Sequence, residues 1–580
     1  MGRVSKCLSP IRANTRVRHG PCRWYLPQWV ILSLSATTCG ELTGGRVSGT
    51  VDYPNPDAGE AARFLSQATF GPTAAEIDRL RQLGYGAWLD EQFALPASPI
   101  HQTVVKTRSR PQEELLNSFW RQAATGQDQV RQRLAFSYSQ IFVVSMISSA
   151  VNFYPLGVAS YLDLLGASAY GTYRALLEGV TRHPMMGLYL SHLGNQKEDA
   201  EGYQVPDQNF AREIMQLFSI GLYELNPDGS IRLIAGDPIE TYRTEDVVGL
   251  SRVFTGFSWA GTDKSKARFT QRLLAHKADE VVRPMEAYPQ FHSVLEKHFL
   301  GVTIPPGQID PDADLAVALD TLAAHPNVGP FIGRQLIQRL VTSNPSPAYV
   351  SRVSTAFDTG RYASGSWSTG TGARGDLQAL AAAVLLDPEA RARPDIGDTR
   401  TGRVREPVLR LANWMRAFNV RSSSGGFRIG RTDVGLAGLG QSPLYAPSVF
   451  NFYRPGYTPQ NAAIADAGLV APELQITDEA SVLGYANFLY GAISSGVGIS
   501  RDLKADYSAE IAIAHDPDLL IGRMNLLLTG NTLSTATLAM IRDAVVAIAM
   551  PTRNQTSARQ RRVWTAALFT LSSPDYLVQK

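Results

Sequence analysis

The sequence predicts a mostly α fold: a large multi-helix globular domain with irregular Gly/Pro-rich insertions and little strand. Three observations predict it. Apolar residues recur at three- and four-residue spacing along most of the chain. Capping patterns and first-turn prolines open those segments. Charged residues make up 18% of the 580-residue chain and hydrophobic residues 44%. The usual charged share is roughly 25%, so the composition is that of a core-rich globular protein.

Taken in order, the elements justify themselves locally. Asp57 and Glu60 form an Asp-x-x-Glu capping pattern before AARFLSQATF, and Gly71-Pro72 ends that helix. Thr73 and Glu76 open a second one, AAEIDRLRQLG. Pro111 takes a first-turn position before EELLNSFWRQAA. Further helical periodicity runs over about 127–147, 159–180, 208–222, 243–255, 312–324, 328–342, 346–358 and 375–386. It resumes over about 405–418, 478–493, 504–513, 516–528, 532–550 and 556–571. Strand signals are confined to 230–235 and 427–431. AAAVLLDPEA and AALFTLSSPDY each end an apolar helix at proline, whose missing N–H and ring clash supply a shared stop.

Residues 1–40 read as an export signal. They carry six of the 55 basic residues and no acid, then a short apolar run at 29–36. That run falls short of the ~20 residues of a membrane span. Ala36-Thr37-Thr38-Cys39 resembles a bacterial lipoprotein processing box, with Ala36 and Thr38 departing from the usual Leu and Gly or Ala. Cys39 is therefore the candidate lipidation residue, and a membrane enters only through that lipid. Residues 41–57 are a Gly/Pro/polar tether and 58–580 the helical domain, with the Gly/Ser/Thr-rich loop 360–375 as its candidate sub-boundary. The expected location is the periplasm or cell surface.

Several function classes lose support. Without the leader, 49 basic residues face 52 acidic ones, so the body exerts no whole-molecule pull on nucleic acid. All three cysteines (Cys7, Cys22, Cys39) precede residue 40, which leaves the body without thiolate chemistry. The sequence has no Gly-x-Ser-x-Gly elbow, Ser-x-x-Lys, Walker loop or His-Glu-x-x-His. Gly370-x-Gly372-x-x-Gly375 matches a dinucleotide fingerprint formally but follows a loop rather than a strand. His292 and Glu296 would share a helix face, His298 would not, and zinc would need a distant ligand such as His325. No metal and no cofactor is expected. His183-Pro184 and His325-Pro326 read as helix ends, where a histidine stabilises terminal carbonyls. Asn-Pro-Asp-Gly at 226–229 is a turn, with too few oxygens for calcium.

A run of segments carries a family resemblance. RFLSQATFGPTAAEIDRLRQLGYGAWLDEQF, NFAREIMQLFSIGLYELNPDGS, EDVVGLSRVFTGFSW, GQSPLYAPSVFNFYRPGY and RVWTAALFTLSSPDYLVQK, in that order, resemble the bacterial family called domain of unknown function 1800. The resemblance covers about residues 60–580. It implies a mostly helical exported protein with no established activity. It also implies a partner, an exported protein of the family called domain of unknown function 1501. Gln216 and Phe218 stand where the family frequently has Glu and His, which weakens any site built on those two.

Two stretches are candidates for function. In NFAREIMQLFSIGLYELNPDGS, Asn209, Glu213 and Gln216 fall at i, i+4 and i+7 with Arg212 beside them, on a helix otherwise apolar. A buried carboxylate there needs a partner, and Arg252 or Arg334 is expected to brace Glu213. The competing reading makes Glu213 the carboxylate catalyst of a hydrolase or lyase on an extracellular polymer. In PSVFNFYRPGY, Phe450, Tyr453 and Tyr457 with Arg454 would form an exposed platform for a glycan or a partner. Asn209 and Arg212 are the other candidate binding residues. The favoured function is an exported scaffold or binding protein acting with a partner at the cell envelope.

Overall fold

The structure, a computed structural model, describes residues 52–580 except 107–109, 202, 272–278, 394, 399, 434–437 and 554. The expected leader, Cys39 and residues 41–51 of the tether lie outside the described residues. Among those described there are 25 α-helices and six separate two-stranded sheets, so the mostly α fold is observed. No described helix is long and apolar enough to cross a membrane.

Local signals explain most helix starts. Asp57 and Glu60 close a full capping box on Ala58–Ala68. At Ala74–Leu83 the Thr73 hydroxyl accepts the Glu76 N–H. Pro111, Pro155, Pro347, Pro407 and Pro517 each begin a helix of eleven residues or more, where their missing N–H costs nothing. The two expected proline stops are stops followed at once by restarts: Pro388–Arg391 and Pro574–Leu577 are short helices capped by Asp387 and Ser573.

The core runs through the whole body. Leu377–Leu386 is apolar around its circumference and buried on nearly every side. Ala58–Ala68 packs against it and against Pro517–Thr529, bringing distant parts of the chain together. The strand Val578–Gln579 pairs antiparallel with Arg403–Val404, tying the last residues to the middle of the fold. All described elements belong to one compact unit. Inside the candidate sub-boundary, Tyr362–Ser364 and Trp367–Thr369 form a hairpin. Trp367 covers Gly86, where a Cβ would sit 2.7 Å from the ring, and donates to Asp90 at 3.0 Å.

Two local expectations are corrected. Residues 427–431 are not a strand; the pairing occurs earlier, between Arg421–Ser422 and Leu503–Lys504. FHSVLEKHFLG is not helical: Lys297–Phe299 pairs with Val302–Ile304 across Leu300 and Gly301, both at positive φ. The fully buried His292 meets Asp314 at 2.9 Å, and Lys297 meets the same carboxylate at 2.9 Å. Burial would raise the pKa of Asp314, but these two donors outweigh it and lower it. Among the described residues no group of acids, histidines or cysteines could hold a metal.

Candidate functional site

The helix carrying Glu213 changes its winding after that residue. Asn209–Glu213 is α-helical, whereas Ile214–Ser219 is a π-helix, with the Ser219 hydroxyl donating to Ile214 O at 2.5 Å. A π turn holds more residues than an α turn, so the i, i+4, i+7 strip does not survive. Asn209 and Arg212 are exposed, Glu213 is half-buried, and Gln216 and Leu217 turn into a cleft that none of those three lines.

The brace is also not formed. Arg252 pairs with Glu198 at 3.0 Å and donates to Glu296 O at 2.7 Å. Arg334 lines the cleft instead. Glu213 makes no ion pair among the described residues, and its Oε2 is buried without a hydrogen bond. Burial raises its pKa, with Arg212 pulling the other way. The neighbouring Tyr189 hydroxyl is pushed up to about 12, by burial first and then by the Glu213 charge.

The cleft, about 430 Å³, is bounded by the π-helix, the turn around Gly229, the helix Val328–Leu340 and the loop 449–456. Its volume falls in the range of small-molecule sites. Leu217, Leu222, Leu225, Ile231 and Phe331 supply apolar wall, and among the described residues no carboxylate or histidine lines it. Arg334 enters from the helix, makes no ion pair or hydrogen bond among the described residues, and has its pKa lowered by burial. Arg454 enters from the loop with its guanidinium 4.8 Å above the Phe450 ring.

The aromatic stretch is therefore split. Asn451 adopts a left-handed conformation (φ 63°) between Phe450 and Tyr453. Phe450 faces the cleft, while Tyr453 is only 3% exposed and its hydroxyl donates to Glu406 at 3.2 Å. Tyr453 is thus an anchor and not part of an exposed platform. Tyr457 is half-buried outside the cleft lining, its carbonyl accepting the Ala471 N–H at 2.9 Å.

Beneath the cleft lies a buried charge network. Arg403 donates to Glu473 at 2.7 and 3.0 Å and reaches Glu406 at 3.4 Å. Burial pulls the Arg403 pKa down, but the two carboxylates more than offset it and keep the guanidinium charged. Glu406 also accepts from Gln140 and Gln441, each at 2.6 Å. Arg133 and Arg339 are buried with no carboxylate within ion-pair distance among the described residues; both donate to backbone carbonyls, and Arg133 shares the acceptor Arg339 O with Arg403. Burial and the charge of Arg403 push Arg133 down to about 9. Gln140, Gln335, Gln338 and Arg339 form the boundary between this network and the cleft.

Other chemistry the sequence left open does not assemble. Ser160 Oγ lies 2.8 Å from His183 Nε2, but it donates its proton to Gly157 O, and His183 Nδ1 accepts the Met185 N–H. The histidine is thus the donor to the serine, the reverse of base activation. Ser118 and His101 repeat the arrangement, with Ser118 donating to Leu115 O. Burial lowers these histidines to about 3 and about 4. His183 and His325 do mark helix ends, but their Nδ1 atoms accept the next helix's N–H rather than stabilise terminal carbonyls. At the glycine fingerprint, Asp376 already occupies the following helix N-terminus, accepting from Ala379 and Thr371. Asp228 accepts twice from Ser230, completing a turn.

Sequence reasoning identified Phe450 and Arg454 and named Arg334 for another purpose. It missed Phe331, Gln335 and Gln338. Their signal was faint: an arginine and glutamines along one face of an otherwise apolar helix.

The family described as "Protein of unknown function (DUF1800)" matches the chain over residues 63–578. No curated protein and no solved structure matches it.

Proposed function

Since this chain belongs to the DUF1800 family, whose description assigns no activity, we propose a function from the cleft itself: a ligand-binding protein acting with a partner at the cell envelope. The observation that carries this reading is the lining. A cleft of about 430 Å³ with apolar walls and arginines, and with no carboxylate, histidine or acid–base pair among its described lining residues, has the make-up of a receptor site. Export, with Cys39 as the lipid-bearing residue, rests on the leader's composition. The partner, an exported protein of the domain of unknown function 1501 family, rests on the family resemblance, and a glycan remains a ligand class for the Phe450 wall.

Native mass spectrometry of the protein taken from its own envelope tests the reading. A stoichiometric small molecule should accompany the parent and be lost from Leu222→Trp, which narrows the exposed rim. Bound mass that Leu222→Trp leaves unchanged would move the site elsewhere.

The hydrolase or lyase reading keeps one supporting observation: Glu213 is unpaired and its pKa is raised, as a general acid requires. Polymer cleavage abolished by Glu213→Gln at unchanged melting temperature would establish it over the binding reading.

A further inference from the structure

We infer that the cleft's ligand is an amphiphile with an oxyanion head held by Arg334 and Arg454 and an apolar body along Leu217, Phe331, Leu222 and Ile231. This deepens, and rests on, the reading of the cleft as a receptor site.

Arg79, Arg174 and Arg352 pair with Glu91, Asp320 and Asp387, whereas the exposed Arg212, Arg361 and Arg561 form no ion pair among the described residues. Arg334 and Arg454 share one cleft, and neither forms an ion pair among the described residues. Among the described residues no acid lines the walls, so a bound anion would supply the counter-charge.

The Arg454 guanidinium lies over the Phe450 ring and makes no hydrogen bond or ion pair among the described residues. A free guanidinium edge matches the two oxygens of a carboxylate or phosphate. Arg334 is exposed on its helix, yet burial among its neighbours partly desolvates it and lowers its pKa. Partial desolvation of this kind strengthens its pull on an anion.

Under the floor, Arg133, Arg339, Arg403 and Arg410 share Glu406 and Glu473 among the described residues. Positive charge is in excess there, and it adds to the field that an anion in the cleft would feel. Around the head, the walls are apolar, and the rim residues Leu222 and Ile231 remain 49% and 44% exposed. A molecule with one anionic end and one apolar end satisfies both halves of the cleft; a neutral or purely ionic one satisfies only half.

Isothermal titration of the full chain with decanoate, dodecanoate, dodecyl phosphate and dodecanol tests this. The anions should bind one to one, and dodecanol roughly tenfold or more weakly, the factor expected for losing charge-assisted hydrogen bonds. Arg334→Gln with Arg454→Gln should erase that preference and leave dodecanol binding within about twofold, while Arg334→Lys should keep part of it. The carboxylate and phosphate arms distinguish the two head groups. Dodecanol binding as tightly as dodecanoate, or a preference that survives the double substitution, would overturn the charge assignment and leave the cleft reading standing. If no amphiphile binds, the amphiphile assignment falls, and the native mass spectrum of the parent against Leu222→Trp decides the cleft reading.

Discussion

Glu473→Gln removes one charge from the network under the cleft without changing its shape. Glu473 takes two hydrogen bonds from Arg403, at 2.7 and 3.0 Å, and both side chains are essentially inaccessible to solvent. The other carboxylate, Glu406, lies at 3.4 Å and already accepts from Gln140, Gln441 and Tyr453. Arg403 would then be left under-compensated in the core, a loss of about 3–5 kcal/mol. Unfolding entropy of about 2.1 cal/mol/K per residue over the unit Thr50–Lys580 amounts to roughly 1.1 kcal/mol per degree. The melting temperature should therefore fall by about 3–5 °C by differential scanning calorimetry. Glu91→Gln is the control, because its partner Arg79 is 56% exposed and such pairs contribute about 1 kcal/mol or less. Equal shifts for the two variants would refute the claim that burial makes the Arg403 pair matter.

Burial holds the Glu213 proton more tightly in the folded chain than its ordinary value of 4.5. Its stabilising effect is complete below that value and is lost as pH rises through the raised one. Glu213→Gln should therefore melt at or above the parent at neutral pH, with the gap closing towards pH ~4; a lower melting point at neutral pH would restore the brace. Tyr453→Phe should cost about 1 kcal/mol of stability in urea titration and little ligand affinity, whereas Phe450→Ala should do the reverse; equal behaviour would mean the loop is not split as described. Gly249→Ala would put a Cβ 1.8 Å from His298 O and should prevent soluble expression, while Gly522→Ala, on an open helix face, should raise stability by about 0.5–1 kcal/mol; soluble, normally melting Gly249→Ala would contradict the packing.

Helices were legible because their signals are local. Asp57, Thr73 and Pro111 act within one turn of themselves, and the segments they open lie where periodicity put them. The site was legible only in fragments. Asn209, Glu213 and Gln216 line up if the helix keeps 3.6 residues per turn, and the π-helix at Ile214–Ser219 removes that premise. Phe450 and Tyr453 are alike in the sequence, yet one left-handed residue between them sends one to the cleft and the other to the core. Arg252 and Arg334 were equivalent guanidiniums until Glu198 took the first.

By itself the sequence determined the fold class, the family and the order of the helices, since composition, apolar period and caps depend on neighbours a few residues apart. Which charges pair and which remain free, and therefore where a ligand could sit, was decided only in three dimensions. Pairing depends on distances between residues more than a hundred positions apart, as between Gln140 and Glu406, and one turn of helix or one bent loop changes those distances by more than a hydrogen bond can span.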